Sequence, residues 1–270
     1  MAGDGDLHLS YEMTRMLDTL FLGKQGIVYR STMDSTQDIA VYLAQSRSDS
    51  HGMVVIAEQQ RRGRGRQRRR WLSPKGGIWL SAVLKPDMSV SKTTLLPFAT
   101  ALAVHDAIKK CTLLEPKLRW PNDVIISGKK VAGILIDISI DNEQINYAVI
   151  GVGINVNVNS AVIASSLENI KPITSIRDEL GHNTSVSDLT IRLLESLEYY
   201  YLELERMSPN VIIEKWKKNS DIIGRRVLVV QKNRTIQGIA EDINIDGSLL
   251  VRTNLHDNIT VVADDVHINY

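Results

Sequence analysis

The sequence of 270 residues predicts an α+β fold with two parts, and three observations support this prediction. Apolar segments near residues 116–126, 131–138 and 147–157 are separated by short polar turns, which is typical of adjacent antiparallel strands, and a proline turn is predicted to interrupt the first of them. The segment from about 95 to 109 is apolar on most faces and is therefore predicted as a core helix. Beyond about residue 220 the sequence changes to short strands with polar turns, which predicts a small barrel.

Composition limits the class of protein. The formal net charge is +1 and 43% of the residues are hydrophobic, which is enough for a substantial core. Cys111 is the single cysteine, so an internal disulfide framework is excluded and a reducing compartment is favoured. No apolar run is long enough to span a bilayer, and the chain begins with an acidic segment where a signal peptide would be basic. We therefore expect a cytoplasmic protein with no membrane partner.

The first strand is predicted at residues 26–30, after a lead-in of residues 1–25. Short polar side chains follow this strand, including Ser35 and Thr36. Such side chains are typical of a helix N-terminus, because they accept hydrogen bonds from free backbone N–H groups. The same hydroxyls, together with Gln37, could instead face a polar small molecule. The residues alone leave both interpretations open.

The most unusual segment is residues 60–71, which contain seven arginines and two glycines. Glycine disfavours a regular helix, so these arginines are predicted to lie on a mobile loop. Apolar strands at residues 53–57 and 78–84 flank the segment, so the loop projects from the edge of a core. It could be a solvated basic patch or a nucleic-acid patch. It could also close over a nucleotide, because guanidinium groups bind phosphates bidentately.

Three glycines lie inside apolar strands in the middle of the chain, namely Gly133, Gly151 and Gly153. Glycine contributes no packing there, and it usually marks a bulge or the close approach of a ligand. Lys130 begins one of these strands, and a solvated surface charge is the ordinary interpretation of a lysine in a turn. An Asx-turn is likewise the ordinary interpretation of Asn122, which follows a proline.

Four motifs, taken in order, resemble those of the biotin protein ligases. They are Gly63-Arg64-Gly65-Arg66 with Arg69 and Trp71, Trp120-Pro121-Asn122-Asp123, Lys130-Val131-Ala132-Gly133-Ile134-Leu135, and Gly151-Val152-Gly153-Ile154-Asn155-Val156-Asn157. The resemblance extends from about residue 26 to the C-terminus. It implies a class II synthetase-like mixed sheet flanked by helices in a catalytic domain over residues 26–220. It also implies a small SH3-like β-barrel domain over residues 221–270.

The resemblance implies a ligase that works in two steps. Biotin and Mg-ATP would give biotinyl-5′-AMP and pyrophosphate, and the adenylate would then acylate one lysine of a biotin carboxyl carrier domain. Activation is needed because a carboxylate is a poor acyl donor, whereas its mixed anhydride with AMP reacts readily if water is excluded. Mg²⁺ is expected to bind through the phosphates of ATP. The implied partners are the carrier domain of acetyl-CoA or propionyl-CoA carboxylase and a second copy of the chain in a homodimer.

The resemblance also implies roles for individual residues. Lys130 would be catalytic, because a cation that bridges the biotin carboxylate and the α-phosphate stabilises charge in the transition state. Arg66 is placed with it and is expected to keep the loop closed over the adenylate. The residues implied in biotin binding are Ser35, Thr36, Gln37, Gln60, Gly63, Arg64, Lys130, Gly133, Ile134, Gly151 and Gly153. The residues implied in ATP and adenylate binding are Arg64, Arg66, Arg69, Trp71, Arg119, Asn122 and Asn155.

Two positions depart from the family pattern. Arg119 stands where a lysine usually precedes the Trp-Pro-Asn-Asp motif, and Arg68 stands where the loop frequently has a second glycine. Some family members also carry an N-terminal winged helix that represses biotin synthesis genes, and this chain has no space for one. We therefore expect no binding to operator DNA. Two other functions stay open, namely ligation of lipoate or octanoate on the related fold and RNA binding by the arginine loop.

Overall fold

The structure is a computed structural model that describes residues 12–165, 172–231, 234–253, 257–262 and 267–269. Seven strands form the main sheet. They are β1 Ile27–Met33, β2 Val54–Gln60, β3 Ile78–Leu84, β4 Lys117–Arg119, β5 Asp123–Ile126, β6 Lys129–Asp141 and β7 Gln144–Ile154. The strand order is β1-β2-β3-β7-β6-β5-β4. Only the β1–β2 pair is parallel among these neighbours, so the sheet is mixed.

Helices cover both faces of this sheet. They are α1 Thr36–Ser46, α2 Leu96–Thr112, α3 Ser160–Ser165, α4 Ile176–Leu180, α5 Val186–Arg206 and α6 Pro209–Lys218. Side chains alternate between the two faces of a strand, so one strand contributes to two cores. On β2, Val55 packs with Ala40 of α1, whereas Val54 and Ile56 pack in the larger core with Leu102 of α2. The glycines of β7 therefore lie on the α1 face, because they share the odd-numbered register with Val149.

A second sheet occupies the C-terminal part of the chain. Its strands are β8 Arg226–Gln231, β9 Arg234–Ile243, β10 Leu249–Thr253, β11 Asn258–Val261 and β12 His267–Asn269. They are ordered β11-β10-β9-β8-β12, and all neighbouring pairs are antiparallel. The predicted fold class is thus confirmed, with a mixed sheet flanked by helices and a small antiparallel sheet that fits an SH3-like domain. The predicted domain boundaries stay a prediction.

Of the helices and strands named above, α3 and β12 were not predicted. The predicted interruption of the strand at residues 116–126 is observed, since β4 and β5 lie on either side of a turn with a cis Trp120–Pro121 peptide. Strand β12 was not predicted, because three residues are too short to show a periodic pattern. Among the residues that the structure describes, no helix is both long enough and apolar enough to cross a membrane.

The small sheet and its linker are fastened to the end of β4. Arg119 forms a bidentate ion pair with Asp221, in which Nη2 lies 2.5 Å from Oδ2 and both side chains are nearly buried. The backbone of Asp221 is also fixed, since its N–H donates to the carbonyl of Leu118 at 3.0 Å. The Trp120 indole N–H donates to the carbonyl of Gly247 at 2.9 Å. These contacts place the linker and the small sheet directly against the start of the Trp-Pro-Asn-Asp motif.

The segment before β1 is anchored by one buried carboxylate. Glu198 of α5 accepts backbone N–H bonds from Leu20, Phe21 and Leu22 at 2.6, 2.8 and 2.9 Å. A carboxylate that accepts three N–H bonds satisfies donors that no strand or helix reaches. Glu195, one turn earlier, makes a single contact of this kind, at 3.3 Å to the N–H of Asp18.

We predict that Glu198→Ala lowers the free energy of unfolding by about 3 kcal/mol, because three N–H groups lose a charged acceptor. Urea denaturation followed by circular dichroism would measure this change. Glu195→Ala is the matched control, and it should cost less than about 1 kcal/mol because its contacts are exposed. Equal losses of stability in the two variants would show that Glu198 is not the anchor of this segment.

Candidate active site

A cavity of about 970 Å³ lies between the arginine loop, the strands β3, β6 and β7, and the start of α1. Glycines in the strands that line this cavity account for its volume. Gly133 and Gly153 are directly opposite each other in β6 and β7, and a Cβ atom on Gly153 would come within 2.5 Å of Trp71 Nε1. A Cβ atom on Gly151 would come equally close to Gln37 Oε1. The missing side chains therefore leave space for the indole and for a ligand beside it.

The arginine loop, residues 60–71, is folded back on itself as a short hairpin. Gly65 N–H donates to the carbonyl of Arg69, and Trp71 N–H donates to the carbonyl of Gly63, both at 2.8 Å. Gly63 is required at its position because a Cβ atom there would collide with the carbonyl oxygen of Trp71. These bonds fix the position from which Trp71 enters the cavity.

The tip of this loop has an unusual backbone. Residues Arg66–Arg68 form a tight turn and not a regular helix, as expected for a segment in which a helix is disfavoured. Within it Gln67 and Arg68 have φ values of +55° and +59°, in the left-handed region that favours glycine. At position 68, where the resemblance leads us to expect glycine, glycine would therefore adopt the observed backbone more easily than arginine does.

Uncharged polar groups line one end of the cavity and bond to one another. Ser81 Oγ donates to Gln37 Oε1 at 2.9 Å and lies 2.9 Å from Thr36 Oγ1. Gln60 Oε1 accepts the backbone N–H of Thr36 at 2.8 Å, and Gln60 Nε2 donates to Ser73 Oγ at 2.8 Å. This network offers donors and acceptors on one side of a small space, which suits a ligand with a polar edge. Ser81 was not predicted, although a serine inside the apolar strand β3 is a signal that could have identified it.

Arg64 connects the loop to the sheet. Its Nη1 lies 2.7 Å from Asp38 Oδ1 in α1 and 3.2 Å from Asp137 Oδ2 in β6. Gln37 Nε2 also donates to Asp137 Oδ2, at 3.2 Å. Neither carboxylate was predicted as part of the site. Because these side chains are partly exposed, the ion pairs position the loop more than they stabilise the fold.

Cations line the other end of the cavity, and Lys130 is held there from several sides. Its Nζ lies 2.5 Å from Asp123 Oδ1 and 5.0 Å from the centre of the Trp71 ring. Its backbone is bonded on both sides to residues 172–174. The side chain is 23% exposed, so it is not a freely solvated surface lysine. The indole Nε1 of Trp71 is buried and has no hydrogen-bond partner among the described residues, so it is a donor available to a ligand.

Arg66 reaches the same end of the cavity through Asn122. Its Nη1 donates to Asn122 Oδ1 at 3.2 Å, and Asn122 Nδ2 donates to the carbonyl of Ile134 at 2.7 Å. The backbone N–H of Ile134 in turn donates to the carbonyl of Asn122 at 3.0 Å. Asn122 is therefore locked to β6 at both its backbone and its side chain, and it connects the loop to that strand.

Three of the predicted site residues do not line the cavity. Ser35 is buried and caps α1, accepting the N–H of Asp38 at 3.3 Å. Gly63 is buried within the loop against the carbonyl of Trp71, and Arg119 is paired with Asp221 and does not line the cavity. The predicted residues that do line it are Thr36, Gln37, Gln60, Arg64, Arg66, Arg69, Trp71, Asn122, Lys130, Gly133, Ile134, Gly151, Gly153 and Asn155.

Comparison with known proteins gives matches along most of the chain. Residues 27–155 match the biotin/lipoate A/B protein ligase family, and residues 222–254 match the biotin protein ligase C-terminal domain. The bifunctional ligase/repressor BirA of Bacillus subtilis is 32% identical over 231 residues, which are 85% of this chain and 70% of that protein. The biotin–[acetyl-CoA-carboxylase] ligase of Paracoccus denitrificans is 31% identical over 222 residues, which are 81% of this chain and 91% of that protein.

Solved structures of the same kind share the fold. The biotin protein ligase of Aquifex aeolicus in complex with biotin and ATP has a TM-score of 0.74 at 23% identity, covering 90% of this chain and 98% of that one. The biotin protein ligase of Leishmania major in complex with biotinyl-5-AMP has a TM-score of 0.59 at 23% identity, covering 88% and 98%. With the four motifs, the fold and these relatives in agreement, the chain belongs to the biotin protein ligase family.

Proposed function

We propose that this chain activates biotin with ATP to biotinyl-5′-AMP and then transfers biotin to one lysine of a biotin carboxyl carrier domain. The observation that carries this proposal is a single cavity with uncharged polar groups at one end and cations at the other. The polar end suits the ureido edge of biotin, which has both donors and acceptors. The cationic end suits the biotin carboxylate and the phosphates of ATP. Family membership supports the same assignment.

In the first step an oxygen of the biotin carboxylate attacks the α-phosphorus of ATP, and pyrophosphate leaves. Both reactants are anions, so they repel each other unless a cation lies between them. The ammonium group of Lys130 is proposed to occupy that position, with Asp123 orienting it and Arg66 binding the phosphate side. A preorganised cation stabilises the charge that accumulates in the transition state more than it stabilises the separate substrates.

In the second step the amine of the acceptor lysine attacks the acyl carbon of the adenylate. The bond between that carbon and the phosphate oxygen breaks, AMP leaves, and the nitrogen loses a proton to give an amide. The adenylate would also react with water, so the arginine loop is proposed to cover it until the acceptor arrives. The ion pairs of Arg64 with Asp38 and Asp137 are suited to hold the loop in this closed position.

We propose that Mg²⁺ enters the site bound to the phosphates of ATP. Mg²⁺ prefers oxygen ligands and usually combines one or two carboxylates with substrate phosphates and water. Asp123 is the one acidic residue among the described residues that line the cavity. The described part of the chain also has no cluster of three or more His, Cys, Asp or Glu side chains that could hold a metal. The phosphates of ATP would therefore supply most of the negative charge that binds the ion.

A cytoplasmic location, a homodimer and the carrier domain of acetyl-CoA or propionyl-CoA carboxylase as acceptor belong to the same proposal. The single cysteine supports a reducing compartment. The dimer and the acceptor rest on family resemblance.

The experiment that tests the proposed function is biotin-dependent exchange of labelled pyrophosphate into ATP by the purified chain with Mg²⁺. Lipoate and octanoate are run in parallel, because the matched family includes lipoate ligases. We expect exchange with biotin alone. Exchange with lipoate or octanoate instead would assign the chain to lipoyl or octanoyl transfer, and no exchange with any acid would reject the adenylating function.

We predict that Lys130→Ala lowers the exchange rate by at least about 10²-fold, because the two reacting anions lose the cation between them. Lys129→Ala is the matched control, since Lys129 is adjacent, pairs with Glu179 at 3.1 Å and lies outside the cavity. That control should keep nearly full exchange. Near-normal exchange by Lys130→Ala, with an unchanged melting temperature, would remove Lys130 from the chemistry.

We predict that Arg66→Gly releases reactive adenylate, so biotin appears on lysines of bystander proteins. Loss of a charge-assisted contact of about 1.5 kcal/mol corresponds to roughly tenfold more bystander labelling. Streptavidin blots of serum albumin added to the reaction would measure it. Lys75→Gly is the control. It also replaces a cation by glycine in the connection from β2 to β3, but Lys75 lies outside the cavity. Equal labelling by the wild type and Arg66→Gly would reject the closing role of Arg66.

A further inference from the structure

A second, shallower depression of about 350 Å³ lies on the arginine loop next to the cavity. Three exposed side chains in it, those of Arg62, Arg68 and Arg70, are called the outer arginine patch here. In the described part of the chain, none of these three guanidinium groups has a carboxylate within ion-pair distance. Their neighbours on the loop differ, because Arg64 is paired with Asp38 and Arg61 lies 3.9 Å from Asp34.

The outer arginine patch is a local excess of positive charge in a chain whose net charge is +1. Arg70 lies directly opposite Arg64 in the loop hairpin. Like charges in directly opposite positions repel each other and destabilise the pairing. Carboxylates compensate Arg64 but not Arg70, so an incoming anion would relieve the repulsion.

Arg68 adds to this excess at a cost in backbone energy. Its φ of +59° is in the left-handed region, where glycine is accommodated more easily than arginine. A glycine at this position would make the hairpin tip easier to form but would remove one cation from the patch. The chain therefore keeps a cation where the backbone favours another residue, which indicates a use for the charge.

The outer arginine patch lies where an acceptor protein has to approach. Arg64, Arg69 and Arg70 line both the cavity and the outer depression, so the loop forms a shared rim. A lysine side chain is short, so the backbone of any protein whose lysine reaches the adenylate has to come up to this rim. We propose that the outer arginine patch binds an acidic surface of the acceptor protein during biotin transfer. This inference rests on the proposed function.

Three considerations favour an acidic protein surface over other anions. A small anion at an exposed site competes with water and with bulk salt, which screens exposed charges. A folded protein surface can present several carboxylates at once and exclude water from the contact. A nucleic-acid-binding domain usually has a broad basic surface, whereas this chain has a net charge of only +1 with the seven loop arginines included, so the rest of the chain is net negative. The outer arginine patch therefore suits a local acidic protein surface better than a small anion or a nucleic acid.

The test uses two substitutions that remove charge from the patch without touching the cavity. The double variant Arg62→Gln with Arg68→Gln is compared with Arg62→Lys with Arg68→Lys, which keeps the charge. The control is Lys110→Gln with Lys218→Gln, because both lysines are exposed and line neither depression. Each enzyme is assayed for pyrophosphate exchange and for transfer to the unbiotinylated carrier domain of an acetyl-CoA carboxylase, at low and at physiological ionic strength.

We expect the glutamine pair to lower kcat/KM for the carrier domain about tenfold at low ionic strength, mainly through KM, because electrostatic steering is lost. Pyrophosphate exchange should stay within about twofold of the wild type, since the first step involves no protein partner. The lysine pair should recover most of the transfer rate. The difference between the variants should shrink as salt is added.

Other results would overturn the inference. Carrier kinetics equal to those of the Lys110 and Lys218 control would show that the patch does not contact the acceptor. An equal loss of pyrophosphate exchange would assign the patch to the nucleotide site. Binding of RNA or DNA by the wild type that disappears in the glutamine pair, with carrier kinetics unchanged, would assign the patch to nucleic acid. Absence of biotin-dependent exchange in the wild type would instead reject the proposed function itself.

Discussion

The site depends on one constraint in the main sheet, which is the pairing of Gly133 with Gly153 across β6 and β7. At this pair, and at Gly151 two residues earlier in β7, the sheet presents only backbone. The indole of Trp71 lies against that backbone, closer than any Cβ atom would permit. Trp71 then provides the surface over which Lys130 is held. A cavity forms at this point in a core that is otherwise packed to high density.

Three of the cations around this cavity are held by a side-chain partner before a ligand binds. Lys130 is paired with Asp123 and Arg64 with two carboxylates, while Arg66 bonds to the neutral amide of Asn122. These partners hold each cationic side chain in one orientation. Anionic substrates can later share the partners or replace them. The outer arginine patch lacks such partners among the described residues. That contrast separates a preorganised chemical site from a surface suited to recognition.

The small sheet reaches the chemistry through the motif at the end of β4. Its linker holds Arg119 through a nearly buried bidentate ion pair, and its β9–β10 turn accepts the Trp120 indole N–H. A guanidinium fork matches a carboxylate with two parallel bonds, which a lysine ammonium cannot do. The departure from the usual lysine therefore has a structural account in this chain, as a means of fixing the linker. Asn122 and Asp123 follow Arg119 within four residues. One short segment therefore contacts the linker through Arg119 and lines the cavity through Asn122 and Asp123.

Local patterns in the sequence determined most of the secondary structure, because strand alternation and helix caps depend on residues close together in the chain. Strand β3 was predicted at its observed limits, and the glycines inside β6 and β7 predicted close approach by another group. Only the tertiary structure decided which group approaches, because the contact between Trp71 and Gly153 joins segments far apart in sequence. The same reason explains why Asp38, Asp137 and Ser81 were missed and why Arg119 was predicted to face the nucleotide. A side chain's partner depends on strand order and register, and neither is encoded in the spacing of a motif.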